Sequence, residues 1–217
     1  MENDKKMKEV KIILLGDAGV GKTSIISRYY KNEFDINSMS TGSSSFITKT
    51  VQKNDNTYKL NIWDTSGQER YRSVTKIFVQ GANIVILVYA IDVKETFDII
   101  NYWHKTVIDI VEGEENIILA IVGNKSDKFE EAVISEEDGQ KLADEKKAIF
   151  KLVSAKDDPK GIFSLFDTLL DEYIKKNYNQ NFKESSFKIK KPKKSKKDKT
   201  DKTDKTDKTD KTDKNCC

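Results

Sequence analysis

Cysteine is missing from the body of this 217-residue chain; its two copies are Cys216 and Cys217. A body without cysteine is no disulfide scaffold and suits a reducing compartment. Histidine is nearly missing as well: the single His104 lies in a helical pattern far from the loops discussed below and has no expected catalytic role. No apolar run approaches the ~20 residues of a spanning helix. The longest, Ile84–Ile91, has the length of a buried strand. Met1 to Lys8 is charged and lacks the apolar core of a signal peptide. The length suits one globular domain plus an appendage, large enough to bury a core without disulfides or a structural metal.

The net charge of +3 conceals an asymmetry. Residues 183–217 hold 14 Lys and 7 acids, a net of +7, whereas the preceding 182 residues hold 25 basic and 29 acidic side chains, a net of −4. The positive charge belongs to the tail, which points to an acidic partner for the tail alone. Lys188 to Lys199 is a lysine block with one Pro and one acid, followed by five Asp-Lys-Thr repeats from Asp198 and a closing Asp213-Lys214-Asn215. With almost nothing apolar to bury, residues 183–217 are expected to be disordered.

Before residue 182, strand-like and helical patterns alternate. Lys11–Gly16, Phe46–Gln52, Tyr58–Asp64, Asn83–Ile91, Asn116–Gly123 and Ala148–Val153 read as strands. Gly21–Lys31, Glu69–Val79, Lys94–Val111, Ser135–Lys147 and Gly161–Lys176 read as helices. The turn at Asn54-Asp55-Asn56 predicts a hairpin of the second and third strands. The alternation predicts an α/β domain over residues 1–182: a mostly parallel six-stranded sheet with helices on both faces. Ligands of such sheets sit at the carboxyl ends of the strands.

Three strings at those ends carry chemistry. Gly16-Asp17-Ala18-Gly19-Val20-Gly21-Lys22-Thr23 satisfies G-x-x-x-x-G-K-[ST] between a strand and a helix. Its glycines let backbone N–H groups converge on phosphate oxygens, and the helix start adds its positive dipole end. Lys22 is placed to reach the β- and γ-phosphates, and the Thr23 hydroxyl to ligate Mg²⁺. Asn124-Lys125-Ser126-Asp127 follows a buried strand. A carboxylate accepts two hydrogen bonds at once, matching guanine N1–H and its exocyclic amine; adenine lacks that donor pair and would leave Asp127 desolvated and unpaired. Asp64-Thr65-Ser66-Gly67-Gln68-Glu69 ends the third strand. There Asp64 suits a metal's water shell, Gly67 permits close approach to a γ-phosphate, and Gln68 suits orienting an attacking water.

With Thr41 and Ser154-Ala155-Lys156, these strings resemble, in order and spacing, the five elements of Ras-like small GTPases over about residues 8–178. The resemblance implies a P-loop NTPase fold and a bound GTP or GDP with Mg²⁺ held by Thr23, Thr41 and Asp64. It implies nucleotide contacts from Gly16 through Ser24 (Gly16, Asp17, Ala18, Gly19, Val20, Gly21, Lys22, Thr23 and Ser24), and from Thr41 and Gly67 toward the γ-phosphate. Phe34 would pack on guanine, Lys125 lie along it, and the Ala155 N–H face its O6, within a base-side set of Asn124, Lys125, Asp127, Ser154, Ala155 and Lys156. Gln68 and Lys22 are the implied catalytic residues.

Within that superfamily, Trp63-Asp64-Thr65 with Gln68-Glu69-Arg70-Tyr71-Arg72-Ser73, and Leu87-Val88-Tyr89, resemble Rab proteins. Phe46, Trp63 and Phe78 fall where Rabs place an aromatic cluster between their switches, although core packing alone would account for three strand and helix aromatics. Cys216-Cys217 fails C-a-a-X but matches the double-cysteine ending that receives two geranylgeranyl groups. One chain gives marginal membrane residence and two give a stable anchor. The lysine block adds attraction to anionic lipid, about 1 kcal/mol per residue near the surface; its rival reading is a nuclear localisation signal. The Asp-Lys-Thr repeats read as a neutral spacer, and thirty-five flexible residues span roughly 30–35 Å.

The pattern also departs from Rabs. Thr41-Gly42-Ser43-Ser44-Ser45-Phe46 replaces T-I-G-x-x-F, Ser66 the usual Ala, Ala90 a common Asp, Ile77-Phe78-Val79-Gln80 the Y-Y-R region, and Ala18 a Ser or Gly nearest the γ-phosphate. The expectation is a monomeric GTPase of slow intrinsic rate on the cytoplasmic face of an intracellular or plasma membrane, with a cytosolic pool. Its implied partners are effectors, an exchange factor, a GTPase-activating protein and a GDP-dissociation inhibitor, with no nucleic acid among them. Two rivals stand beside it: a P-loop kinase or ATPase, opposed by Asn124–Asp127, and a lipid-anchored GTP-bound scaffold with little hydrolysis, opposed by Gln68.

Overall fold

Strands that read as unbroken apolar runs have to be covered on both faces, and this requirement shapes the fold. The computed structural model describes residues 7–36, 45–65, 72–111, 115 and 117–189, with backbone alone at 72–75 and 179–189. Six strands, β1 (Lys8–Leu15), β2 (Ser45–Lys53), β3 (Asn56–Asp64), β4 (Ile84–Ala90), β5 (Ile118–Asn124) and β6 (Ile149–Leu152), form one sheet in the order β2-β3-β1-β4-β5-β6. Only β2 and β3 pair antiparallel. They form the expected hairpin, closed by Asn54 and Asp55 at φ 49° and 58°. Two left-handed residues in a two-residue loop match the right-handed twist of the strands, and Asn and Asp tolerate that conformation well.

Alternate side chains of each strand divide between two cores. Val10, Ile12, Leu14, Ile84, Ile86, Val88, Ala120 and Val122 face one side, packed with Ile25, Ile26 and Tyr29 of α1 (Lys22–Lys31) and Ile162, Leu165, Phe166 and Leu169 of α6 (Pro159–Ile189). Ile13, Leu15, Val85, Leu87, Tyr89 and Ile121 face the other. There they meet Val79 of α2 (Arg72–Val79), Ile100, Trp103 and Val107 of α4 (Ile100–Val111), and Leu142 and Ala143 of α5 (Glu136–Glu145). β4, the longest apolar run, is buried at all seven positions.

Two helices differ from expectation. The helix expected over Lys94–Val111 is divided into α3 (Lys94–Asp98) and α4, with Ile99 between them still right-handed at φ −76° and ψ −9°. α6 begins earlier, at Pro159, because Asp158 Oδ1 accepts from the Gly161 N–H at 2.8 Å and proline suits the first helical position. It also ends later, at Ile189, so residues 183–189 are helical where disorder was expected. That stretch has no helix breaker before Pro192, and its Lys, Glu and Ser residues carry only small helix-propensity penalties. The chain divides into two compact units, Met1–Asn179 and Gln180–Cys217, and the candidate site lies wholly in the first.

Gly139 in α5 lets the helix approach the sheet: a Cβ there would sit 2.4 Å from Tyr89 Oη and 2.5 Å from the Phe150 ring. Gly139→Ala gains about 1 kcal/mol of helix propensity. It is nonetheless expected to destabilise the domain by about 1–3 kcal/mol through overpacking, read as a lower thermal midpoint.

Candidate nucleotide site

Where β1 ends, the chain turns through Gly16 (φ 149°), Gly19 (φ 74°) and Gly21 (φ 93°) into α1. A Cβ at Gly16 would lie 2.2 Å from Val88 O, so this glycine is required. A Cβ at Gly19 would meet nothing within 4 Å, which leaves that backbone open to a bound group. Gly21 caps α1 without a side-chain hydrogen bond, and the first turn holds no acid, an arrangement suited to an anion. The loop curls around Lys22, which is 5% exposed and donates from Nζ to Gly16 O at 2.9 Å and Asp17 O at 3.0 Å. Ala18 N–H bonds Asp17 Oδ1 at 2.8 Å, and Val20 is buried in the core.

Thr23, one residue on, donates to Oδ2 of Asp64 at 2.7 Å, bringing together side chains from α1 and the end of β3. Asp64 is 2% exposed, and among the described residues its Oδ1 has no hydrogen-bond partner. Burial raises its carboxyl above the ordinary value, against the Thr23 bond and the Lys22 charge. A buried carboxylate oxygen with no donor, beside a hydroxyl at a phosphate-binding loop, fits a divalent cation completed by ligand oxygens and water. Among the described residues no cluster of three or more His, Cys, Asp or Glu forms an all-protein cage.

The base-side strings converge on a cavity of about 320 Å³ lined by Gly19, Gly21, Ser24, Phe34, Asp35, Ile36, Asn124, Lys125, Asp127, Lys128, Ala155 and Lys156. Its volume lies in the range of small-ligand sites. Asp127 accepts from Ser154 Oγ at 2.5 Å through Oδ1, while Oδ2 lies 4.0 Å from Lys156 Nζ. Ser154 Oγ in turn accepts from the N–H groups of Lys156 and Asp157 at 3.2 and 2.9 Å, so the loop that orients the carboxylate is itself held.

Asn124 does something its motif does not reveal. Its Nδ2 donates to Val20 O at 2.8 Å and its Oδ1 accepts from the Ala155 N–H at 3.1 Å, so the buried amide braces the phosphate loop against the base loop. The Ala155 N–H, expected to face guanine O6, is thus engaged by Asn124 in this structure. Two further residues escaped the sequence reading. Arg28 of α1 donates to Ala155 O, Lys156 O and Asn32 O at 2.8, 2.9 and 2.8 Å, linking the base loop to the turn that leads to Phe34. Asp92, just beyond β4, faces Lys125 and Lys128. No spacing rule points to either, although an acid directly after a buried strand is a signal worth weighing.

Phe46, Trp63 and Phe78 do cluster, with ring centroids 4.8 Å apart for Phe46–Trp63 and 5.6 Å for Trp63–Phe78, and Phe46 is 48% exposed. Thr41, Gly67, Gln68, Cys216 and Cys217 lie outside the described residues.

A sequence model described as the Ras family matches residues 11–191. The chain belongs to the Ras family. Within it, several relatives bear Rab names. The chain is 43% identical over 162 residues to the Ras-related protein Rab2BV of Beta vulgaris, covering 75% of this chain and 74% of the relative. It is 41% identical to RABA2c of Arabidopsis thaliana, over 75% of this chain and 73% of the relative. It is 42% identical over 150 residues to human Rab-22A, covering 69% of this chain and 76% of the relative. This Rab-type small GTPase hydrolyses GTP and serves membrane trafficking as a GTP-dependent switch.

Proposed function

We propose that the site holds GTP-Mg²⁺ with the guanine in the cavity between Phe34 and Lys125, and that two lipid groups on Cys216 and Cys217 keep the switch on the cytoplasmic face of its membrane. What supports the reading above all is that one cavity is bounded at one end by phosphate-loop residues Gly19, Gly21 and Ser24 and at the other by an Asp127 carboxylate held by Ser154. The phosphate-loop end suits an anion, and a carboxylate only 12% exposed would lose water against an adenine edge without gaining its two donors.

Thr23 and Asp64, with Thr41, would hold the Mg²⁺, which supplies charge neutralisation at the β- and γ-phosphates. Lys22, now held by the carbonyls of its own loop, is placed to exchange those bonds for phosphate oxygens. Gln68 orients the attacking water, and Thr41 and the Gly67 backbone sense the γ-phosphate, so both switch segments order with GTP and are released with GDP. Effectors read that ordering over the polar Thr41–Ser45 stretch and the Phe46, Trp63 and Phe78 cluster. An exchange factor, a GTPase-activating protein and a GDP-dissociation inhibitor complete the cycle.

With no arginine in the phosphate loop or first switch, intrinsic turnover is expected near the order of 10⁻⁴ s⁻¹, rising about 10⁵-fold with an activating protein's arginine. Single-turnover phosphate release from GTP-loaded protein tests this. Slow release in the wild type and near silence in Gln68→Leu is the expected pair of results. Equal silence in both, with GTP still bound, would sink the cycling switch.

A further inference from the structure

Lys125 sits in a left-handed backbone conformation, φ 70°, which gives its side chain no helix or strand to lie on. Something else has to aim it. Ala90 of β4 and Asn124 of β5 are register partners, and the Ile91 N–H extends the ladder by donating to Asn124 O at 3.1 Å. Asp92 and Lys125 therefore emerge side by side from adjacent strand ends. Lys128 Nζ donates to Asp92 Oδ2 at 2.8 Å, while Lys125 Nζ forms an ion pair with Asp92 Oδ1 at 3.4 Å without a hydrogen bond, leaving Oδ1 for Lys125 alone among the described residues. The Asp92 side chain is only 9% exposed, against 28% for Lys125 and 41% for Lys128, so the carboxylate is the fixed partner and the lysines are drawn to it. Lys128 N–H bonds Lys125 O at 2.9 Å, which locks the two lysines into one turn.

We propose that Asp92 is the positioning residue for the base wall of the site: it pins the Lys125 ammonium so that the aliphatic stem is held along the base opposite Phe34. The inference rests on the guanine-nucleotide reading above and adds to it a residue outside the motifs. An ammonium free in solvent would let that stem sample several rotamers; a pinned one leaves a wall that is ordered before the ligand arrives. Asp92 does not touch the nucleotide. Its effect passes through Lys125, so it disappears where Lys125 is absent.

That dependence is the test. Release of a fluorescent mant-GDP from the full chain in Mg²⁺ is timed in wild type, Lys125→Ala and Lys128→Ala, each with and without Asp92→Asn, with the thermal midpoint of each complex measured alongside. Asp92→Asn is expected to accelerate release about five- to tenfold when Lys125 is present, with little further effect in Lys125→Ala. Equal acceleration in both backgrounds would make Asp92 a structural residue and overturn the proposal. So would an effect that persists in Lys125→Ala but vanishes in Lys128→Ala, since the working ion pair would then be that of Lys128. Wild-type protein that binds mant-GDP while Asp92→Asn releases it at the wild-type rate would also overturn it. A wild type that fails to hold mant-GDP would overturn the nucleotide reading itself, and the proposal with it.

Discussion

Asp127→Asn is expected to weaken GDP binding by roughly 10³-fold and to turn the site toward xanthine nucleotides. Asp127 offers two acceptors, and Ser154 Oγ donates to Oδ1 at 2.5 Å. In the asparagine variant that donation keeps the amide oxygen at the Oδ1 position and sends the NH₂ to the Oδ2 position. One acceptor beside one donor no longer matches the two donors of guanine. It does match the N1–H and C2 carbonyl of xanthine. Competition of GDP and XDP against a fluorescent nucleotide reads both changes at once. Loss of GDP without a gain for XDP would mean that the second oxygen of Asp127 is not directed at the base edge. Equal affinity for GDP before and after would remove Asp127 from the site.

The second large effect has opposite signs for stability and function. Asp64→Asn is expected to abolish Mg²⁺-dependent retention of the nucleotide, yet to raise the thermal midpoint of nucleotide-free protein in EDTA. The wild-type carboxylate is 2% exposed, and burial, opposed by Thr23 and Lys22, leaves its pKa raised. A neutral isostere removes the buried charge while leaving the bond from Thr23 to an oxygen, so the midpoint is expected to rise by roughly a few degrees. The pH dependence has a definite sign. For an acid with a raised folded pKa, the folded state binds more protons than the unfolded one in the window above the unfolded value. Wild-type stability in EDTA therefore falls as pH rises through the folded pKa, and the advantage of the variant is full above that folded pKa and fades on acidification toward the ordinary carboxylate value. A variant less stable than wild type in EDTA at neutral pH would contradict this account.

Much of the site was readable because its chemistry is local. The glycines of the phosphate loop, its Lys22 and Thr23, and the Asn54-Asp55-Asn56 turn each depend on neighbours within a few residues, and the structure shows a strand-to-helix turn at the first and a hairpin at the last. The base-loop carboxylate was readable for the same reason. Arg28 and Asp92 were not, since each acts on groups brought near only by the sheet: Arg28 on carbonyls 127 and 128 residues away, Asp92 on the end of the next strand. Asn124 was legible as part of a motif but its two bonds were not, because a motif records that an amide is needed and not which atoms it joins. The start of α6 was visible in Asp158-Pro159 and overlooked in favour of the apolar pattern beginning at Gly161. Its far end was misjudged for a different reason. Composition shows that a stretch has nothing apolar to bury, but this does not forbid a helix that continues from a packed one.

The Asn124 amide carries a consequence for the timing of the switch. One planar group joins Val20 on the phosphate loop to Ala155 on the base loop, segments 104 and 31 residues distant from it along the chain. Loops tied through a single rigid joint share their fluctuations, so the two ends of the site cannot loosen independently. Emptying the site is therefore expected to be one concerted event, read as single-phase release of a bound nucleotide. An external protein that prised one loop away would then loosen the other with it.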